Sequence, residues 1–163
     1  MFKNNVQYYE AQQCPPQWKA FLAAFSAEFA SKGEVRDLRA LMHQLGRIMA
    51  KQWQALDGSS LQALEDGINA ILFQMNWGWI EMMEERESLI VAHHASPLKA
   101  AFGAEALPWS PALLEGIYAQ IFEQLGMDQS LRLCQRGEPA EDGQLFVYEL
   151  KKQQDESHYF ARR

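Results

Sequence analysis

Few residues in this chain are of the types that bind metals or perform acid–base chemistry, and their spacing limits what they can do. His93 and His94 are adjacent in a predicted strand, so their side chains point to opposite faces and cannot bind one metal ion together. Glu81 and Glu84 lie three residues apart on another predicted strand and also face away from each other, which indicates surface charge rather than an acid–base pair. The two other histidines have no Cys or Asp at ligand spacing, so the sequence predicts no metal site.

The two cysteines, Cys14 and Cys134, are too few to form a disulfide framework. Cys14 lies in a proline-bounded segment with no base nearby, and we expect Cys134 to pack in a sheet, so neither has the surroundings of a catalytic thiol. No Gly-rich phosphate loop follows a predicted strand, and no Gly-x-Ser-x-Gly motif occurs. We therefore expect no catalytic residue and no cofactor, and we predict that the chain is not an enzyme.

Composition indicates a globular protein that contains one main domain. The chain has 163 residues, of which 48% are hydrophobic and 22% charged, enough to form a packed core. A net charge of −6 argues against nucleic acid or an anionic membrane as the main partner. The N-terminus lacks a signal-peptide pattern, and no apolar run approaches the ~18 residues expected of a membrane span. We expect a soluble, cytoplasmic protein.

The elements that must position these side chains are organised around residues 59–92. Ser59 followed by Gln62 is a capping box that predicts a helix start. Apolar residues then recur at helical spacing as far as Met75, after which the period changes from 3.6 to 2. Two strands joined by a charged turn follow, and they predict a hairpin that begins near Gly78.

Two helices are predicted before this unit. The first spans about residues 16–31, and its large apolar side chains are expected in the core: Trp18, Phe21, Leu22, Phe25 and Phe29. The second spans about residues 34–56 and is stopped by Asp57-Gly58. Its heptad-like stripe could pack against its own domain or against a second copy of the chain, and its residues are Val35, Leu38, Met42, Leu45, Met49 and Trp53.

One more helix and two strands are predicted after the hairpin. Ser110 as N-cap and Pro111 at the first position predict a helix that ends at Gly126. Gly116 in its middle predicts close packing by a large group such as a Trp or the face of a sheet. Strands near residues 131–136 and 144–150 complete an α+β fold, with three N-terminal helices and then a four-stranded antiparallel sheet (ββ-α-ββ) backed by helices.

The chain ends are expected to differ from this domain, which we place at residues 18–150. Residues 1–17 form an N-terminal arm rich in amides and aromatics and closed by Pro15-Pro16. The arm could be a frayed terminus, or a docking segment, since large aromatics are unusual in a disordered tail. Residues 151–163 are expected to form a charged tail.

Several runs of residues resemble the family formed by the D subunit of bacterial cellulose synthase. They occur in order and with similar gaps: Glu34-Val35-Arg36-Asp37-Leu38, Gly46-Arg47-Ile48-Met49, Ile68-Asn69-Ala70-Ile71-Leu72, Trp77-Gly78, Ser88-Leu89-Ile90-Val91-Ala92-His93 and Trp109-Ser110-Pro111-Ala112-Leu113-Leu114-Glu115-Gly116-Ile117-Tyr118. The resemblance covers about residues 18–150.

This resemblance implies a non-enzymatic accessory subunit of the bacterial cellulose-secretion system, which secretes an exopolysaccharide of biofilms. It implies a ring-shaped homo-octamer near the inner-membrane synthase complex, which organises export of the β-1,4-glucan chain and works with a proline-rich partner protein. Such a peptide could add to an exposed sheet edge. The stripe on the second helix would then be the oligomer interface. The implied glucan contacts lie in the arm: Phe2, Lys3, Asn4, Asn5, Tyr8 and Tyr9.

A second resemblance leaves an alternative open. The order of elements is also similar to ligand-binding domains related to 4-vinyl reductase sensors and Golgi-tethering subunits. Those domains hold an apolar small molecule between helices and sheet, or act as dimeric assembly platforms. They carry Cys or His in the last two strands, where this chain has Cys134.

Overall fold

The computed structural model describes residues 11–140 and 142–153. The described helices and strands confirm the predicted α+β class and element order. Their bounds are α1 Pro16–Lys32, α2 Val35–Lys51, α3 Leu61–Gln74, β1 Trp79–Glu84, β2 Ser88–His94, α4 Leu98–Phe102, a 3₁₀ turn Ala104–Ala106, α5 Ala112–Gln124, β3 Leu131–Gln135 and β4 Phe146–Lys152. Residues 11–13 are also helical.

Helix α5 is the centre of the core. Nine of its thirteen residues are buried, on all sides of the helix, as expected for a helix enclosed by other elements. It packs against α2 on one side and against the sheet on the other. Tyr118 and Tyr148 meet edge to face at 5.7 Å, and the Tyr148 hydroxyl donates to the carbonyl of Pro111 at 2.8 Å.

The four strands form an antiparallel sheet in the order β1-β2-β4-β3. The predicted alternation is present, because Ile80 and Met82 of β1 are buried while Trp79 and Glu81 are exposed. In β4 the buried residues are Phe146, Tyr148 and Leu150. The inner face of the sheet therefore covers α5, and the outer face carries the exposed side chains of β1.

The outer edge of β1 is covered by side chains of α3. The Asn69 amide donates to the carbonyl of Ile80 at 3.0 Å and accepts from its N–H at 2.7 Å, and the Glu65 carboxylate accepts from the N–H of Met82 at 2.6 Å. These backbone groups are the ones that an added strand would use. Strand addition at this edge, which the sequence left open, would have to displace both side chains.

Several predicted helix ends are wrong by a few residues. The N-cap of α3 is Ser60, whose hydroxyl accepts from the N–H of Ala63 at 3.0 Å, and not Ser59, whose N–H donates to Asp57. Helix α2 ends at Lys51 and not near residue 56, since the chain turns so that Leu56 packs on the core beside α3.

The start of α5 also differs from the prediction. Pro111 is the N-cap and the helix begins at Ala112. Ser110 does not cap it, because its N–H donates to Ala106 in the preceding turn and its buried hydroxyl has no partner among the described residues. The group that packs at Gly116 is the backbone of α2, not a Trp or the sheet.

Both cysteines lie in surroundings that the sequence did not predict. Cys14 is buried at the end of the arm, next to Gln13, whose amide donates to the carbonyl of Ala95 at 2.7 Å. The last residues of the arm are thus attached to the domain. Cys134 is exposed on β3 rather than packed inside the sheet, because it shares its register position with Glu149, on the face that points away from α5.

Candidate functional site

Helix α1 leaves most of its large apolar side chains exposed to solvent. Only Ser26 of this helix is buried, and its aromatic side chains contact one another along the surface. Trp18, Phe21 and Phe25 are exposed by 54%, 57% and 38%, so the prediction that they lie in the core is wrong. Large apolar residues at helical spacing indicated a face to be covered, but nothing in the described part of the chain covers it.

Helix α2 adds apolar residues to the same side of the molecule. Leu41, Leu45 and Ile48 are exposed by 39%, 39% and 44%. Leu45 and Ile48 line a groove with Trp18 and Phe25. We call the six residues Trp18, Phe21, Phe25, Leu41, Leu45 and Ile48 the α1/α2 apolar face.

The groove at this face has a volume of about 460 Å³ and is almost entirely apolar. Residues of α2 and α4 line it, among them Met42, Met49 and Leu98. Cys14 and Pro15, which precede α1, also line it. Because α1 packs on α4 and only weakly on α2, the groove stays open between the first two helices.

The predicted interface stripe of α2 is divided between two environments. Leu38 and Met42 are buried against the core of their own chain, and Met49 and Trp53 are partly buried on it. Val35 and Leu45 are exposed. The buried ridge of α2 follows a spacing of four residues, Leu38, Met42, Gly46 and Ala50, rather than the 3-4 spacing of the stripe. A contact with another subunit stays a prediction, and the exposed residues are the ones able to make it.

His93 and His94 point to opposite faces of the sheet, as their adjacency predicts. His93 is fully buried, with Nδ1 hydrogen-bonded to the hydroxyl of Tyr118 and Nε2 lying 2.7 Å from the carbonyl of Trp77. One neutral tautomer satisfies both contacts, with Nε2–H donating to Trp77 and Nδ1 accepting from Tyr118. Burial lowers the pKa of His93 to about 4 and raises the pKa of Tyr118 well above its usual value. The pair is therefore neutral and holds the sheet to α5.

His94 lies on the outer face, where its ring stacks on that of Trp79 at 5.3 Å with an interplanar angle of 10°. Its Nε2 is 3.2 Å from a carboxylate oxygen of Glu81. Trp79 and His94 are register partners on β1 and β2, which explains the stacking.

The other residues considered for chemistry remain apart. Partial desolvation and the negative charge of Glu115 raise the pKa of Cys134, the opposite direction from that of an activated thiol. Within residues 11–140 and 142–153, no three His, Cys, Asp or Glu side chains are grouped as a metal site would require. Phe2, Lys3, Asn4, Asn5, Tyr8 and Tyr9 lie outside the described residues.

Comparison with known proteins adds the decisive observation. The family model for the D subunit of cellulose synthase matches residues 4–148. The chain belongs to this cellulose synthase D-subunit family.

Relatives within the family agree with this assignment. The chain is 27% identical over 107 residues to Cellulose synthase operon protein D of Komagataeibacter xylinus and to the protein of the same name from Komagataeibacter sucrofermentans. The aligned part is 64% of this chain and 69% of each relative. Another Komagataeibacter xylinus protein of that name is 25% identical over the same length.

Membership of the cellulose synthase D-subunit family assigns the chain to bacterial cellulose biosynthesis. The family is an accessory subunit of the cellulose synthase operon, and its names describe no catalytic activity. Among the residues whose structure is described, no helix combines the length and apolar character that a membrane span needs.

Proposed function

We propose that this chain is a non-enzymatic scaffold subunit of bacterial cellulose biosynthesis, which self-associates through the α1/α2 apolar face. In this proposal the oligomer is a ring of eight copies beside the cytoplasmic side of the synthase complex. It organises glucan export and the synthase arrays that produce crystalline cellulose.

The observation that carries the proposal is the exposure of three aromatic side chains on one helix. Covering Trp18, Phe21 and Phe25 would remove their remaining apolar surface from water, a gain on the order of 1 kcal/mol for each. Contiguous exposed apolar patches of this kind mark interaction surfaces, and aromatic residues are enriched at the centre of interfaces.

A second copy of the chain is the occupant that fits this face best. A helix face of aromatic and branched side chains can pack ridge into groove against an identical face. Leu45 and Ile48 offer a groove beside α1, and Phe21 protrudes next to it with 57% of its surface exposed. Ring closure then follows if a second, different surface completes each subunit contact.

The arm is part of this proposal. Residues 2–9 carry aromatic and amide side chains, which suit the apolar faces and the hydroxyls of sugars. Gln13 and Cys14 attach the end of the arm to the domain, so removing only residues 1–10 leaves that attachment intact. In the proposal this deletion preserves oligomer mass and lowers cellulose yield or order. Unchanged cellulose would remove the arm from the proposal.

The test of the scaffold role uses a bacterium that lacks the chromosomal gene. Complementation with wild type or with Phe73→Asp is expected to restore cellulose yield and the sharpness of its X-ray fibre diffraction. Phe73 is 82% exposed on α3, away from the α1/α2 apolar face, and serves as the matched control. Phe21→Asp is expected to restore neither. Full restoration by a Phe21→Asp protein that is monomeric would overturn the proposal.

The groove also favours a second candidate, a small-molecule sensor or tethering module. Its volume of about 460 Å³ is within the range of ligand pockets. Its lining residues come from helices and loops, whereas the 4-vinyl reductase resemblance implies a site between helices and sheet. Solvent extraction of purified protein followed by mass spectrometry distinguishes the two. A stoichiometric apolar compound in a dimer would support the sensor.

A further inference from the structure

The outer face of the sheet carries an aromatic plate with a hydrogen-bond acceptor beside it. The Trp79 indole is 48% exposed although it is a large apolar group, and the ring of His94 stacked on it fixes its orientation. The side chain of Glu81, the next outward residue on β1, is 60% exposed and points its carboxylate toward His94. No interaction within the described residues accounts for the free part of the indole ring.

From this arrangement we propose that Trp79, Glu81 and His94 form a binding subsite for a neutral β-linked glucan chain on the outer face of the sheet. Sugar rings present apolar C–H surfaces that stack on an indole, and their hydroxyls donate to a carboxylate. The choice of a glucan as the ligand rests on the proposed function. The aromatic plate of Trp79 and the acceptor of Glu81 are features of the sheet itself.

The spacing along β1 suits an extended chain of sugars. Outward-facing residues on a strand are about 7 Å apart, so Trp79, Glu81 and Met83 make a row of apolar, acceptor and apolar groups. Met83 is 51% exposed. A chain that lies along this row meets an apolar surface, a hydrogen-bond acceptor and a second apolar surface in turn.

The subsite is held rigid, which favours binding by side chains rather than by the strand edge. Asn69 and Glu65 occupy backbone groups of Ile80 and Met82, so β1 is fixed to α3 and its edge is covered. A site on an anchored strand loses little conformational freedom when it binds.

The charge near the row selects against acidic polysaccharides. Glu81 lies within the row, and Glu85, directly after β1, is paired with the Arg136 guanidinium at the far end. A uronic-acid polymer would bring its carboxylates close to Glu81, whereas a neutral glucan does not.

The test measures binding of cellohexaose to the full chain by isothermal titration calorimetry, with a galacturonic acid oligomer as the acidic comparison. We expect wild type to bind cellohexaose and to bind the acidic oligomer at least about tenfold more weakly. Trp79→Ala should weaken cellohexaose binding at least about tenfold, and Glu81→Gln at least about threefold. Trp79→Phe, which keeps an aromatic plate, should recover most of the affinity.

The matched control is Leu125→Ala, which removes an apolar side chain that is 39% exposed just after α5 and belongs neither to the row on β1 nor to the α1/α2 apolar face, and which should leave cellohexaose affinity unchanged. Equal affinity of wild type and Trp79→Ala, or no binding by wild type, would overturn the subsite. A change of oligomer mass in Trp79→Ala would overturn it too, by assigning Trp79 to a subunit or protein contact. A monomeric wild type that still binds through Trp79 would contradict only the scaffold proposal.

Discussion

Gly46 of α2 and Gly116 of α5 each lie directly against the backbone of the other helix. A Cβ atom at Gly46 would be 2.0 Å from the carbonyl oxygen of Leu113, and one at Gly116 would be 2.0 Å from the carbonyl oxygen of His43. The contact is reciprocal, since each glycine meets the residue three positions before the other. The two helices therefore approach as closely as backbones can, and this contact fixes α2 on the core.

Replacement of either glycine is expected to destabilise the fold. In Gly46→Ala or Gly116→Ala the new methyl group meets a carbonyl oxygen that cannot move without its helix, so α2 and α5 must separate. Overpacking costs about 1–3 kcal/mol, which the helix propensity of Ala offsets by about 1 kcal/mol. We expect a net loss of up to about 2 kcal/mol in the free energy of unfolding, measured by urea denaturation.

Gly67→Ala on α3 is the matched control. Its new methyl group would meet only Leu56 Cδ2, the end of a flexible side chain, at 3.0 Å. Here the higher helix propensity of Ala should dominate, and stability should rise by about 0.5–1 kcal/mol. If all three glycine variants changed stability equally, the close approach of α2 and α5 would not be what limits positions 46 and 116.

The buried His93 makes stability depend on pH. Its folded pKa of about 4 is below the value of about 6.5 expected in the unfolded chain. Below pH 6.5 the unfolded state therefore binds a proton that the folded state does not, and stability falls as the pH drops toward 4. Between pH 8 and pH 5 this group should contribute a loss of about 2 kcal/mol.

His93→Gln removes the titrating group. The decrease in the free energy of unfolding between pH 8 and pH 5 should therefore be about 2 kcal/mol smaller in this variant than in wild type, whatever the absolute stability of the variant. His94→Gln, on the outer face of the same strand, should keep most of the decrease of wild type, since the charge of His94 is a smaller cause of the low pKa of His93 than burial. An unchanged pH dependence in His93→Gln would show that another group controls stability in this range.

Asn69 is expected to protect the edge of β1. In Asn69→Ala the N–H and carbonyl of Ile80 both lose their partner, which should cost about 1–3 kcal/mol. Amide hydrogen exchange at Ile80 should accelerate. Gln62→Ala, which breaks only an exposed contact with Asp66, should stay within about 0.5 kcal/mol of wild type. Equal protection of Ile80 in Asn69→Ala would contradict the role of this side chain.

The fold class was predictable from the spacing of apolar residues along the chain and from the residue types at helix ends and turns. The period of two in β1 and β4 divided the residues of each strand between two faces, and in the structure one of these faces is buried toward α5. Gly126, with φ of +82°, ends α5 as its position after the apolar stripe predicted. Adjacent candidates for one role could not be separated, as with Ser59 and Ser60, since both are good caps.

The partners of exposed faces could not be predicted. The periodicity of Trp18, Phe21 and Phe25 shows that one face of α1 is apolar, but not whether it is covered by its own chain or by a copy. Gly116 signalled a close approach without identifying Gly46 as its counterpart, because that depends on how two helices cross. The subsite at Trp79 and His94 depends on strand register, which local sequence does not define.

Self-association through the α1/α2 apolar face is tested most directly by the mass of the purified chain in solution. Light scattering over a range of protein concentrations should give a multiple of the 18.7 kDa chain mass for wild type and for Phe73→Asp. Phe21→Asp and Leu45→Asp should shift the mass toward 18.7 kDa while their far-ultraviolet circular dichroism stays that of wild type. A wild-type protein that remains at 18.7 kDa at every concentration, or charged variants that assemble as wild type does, would contradict the account.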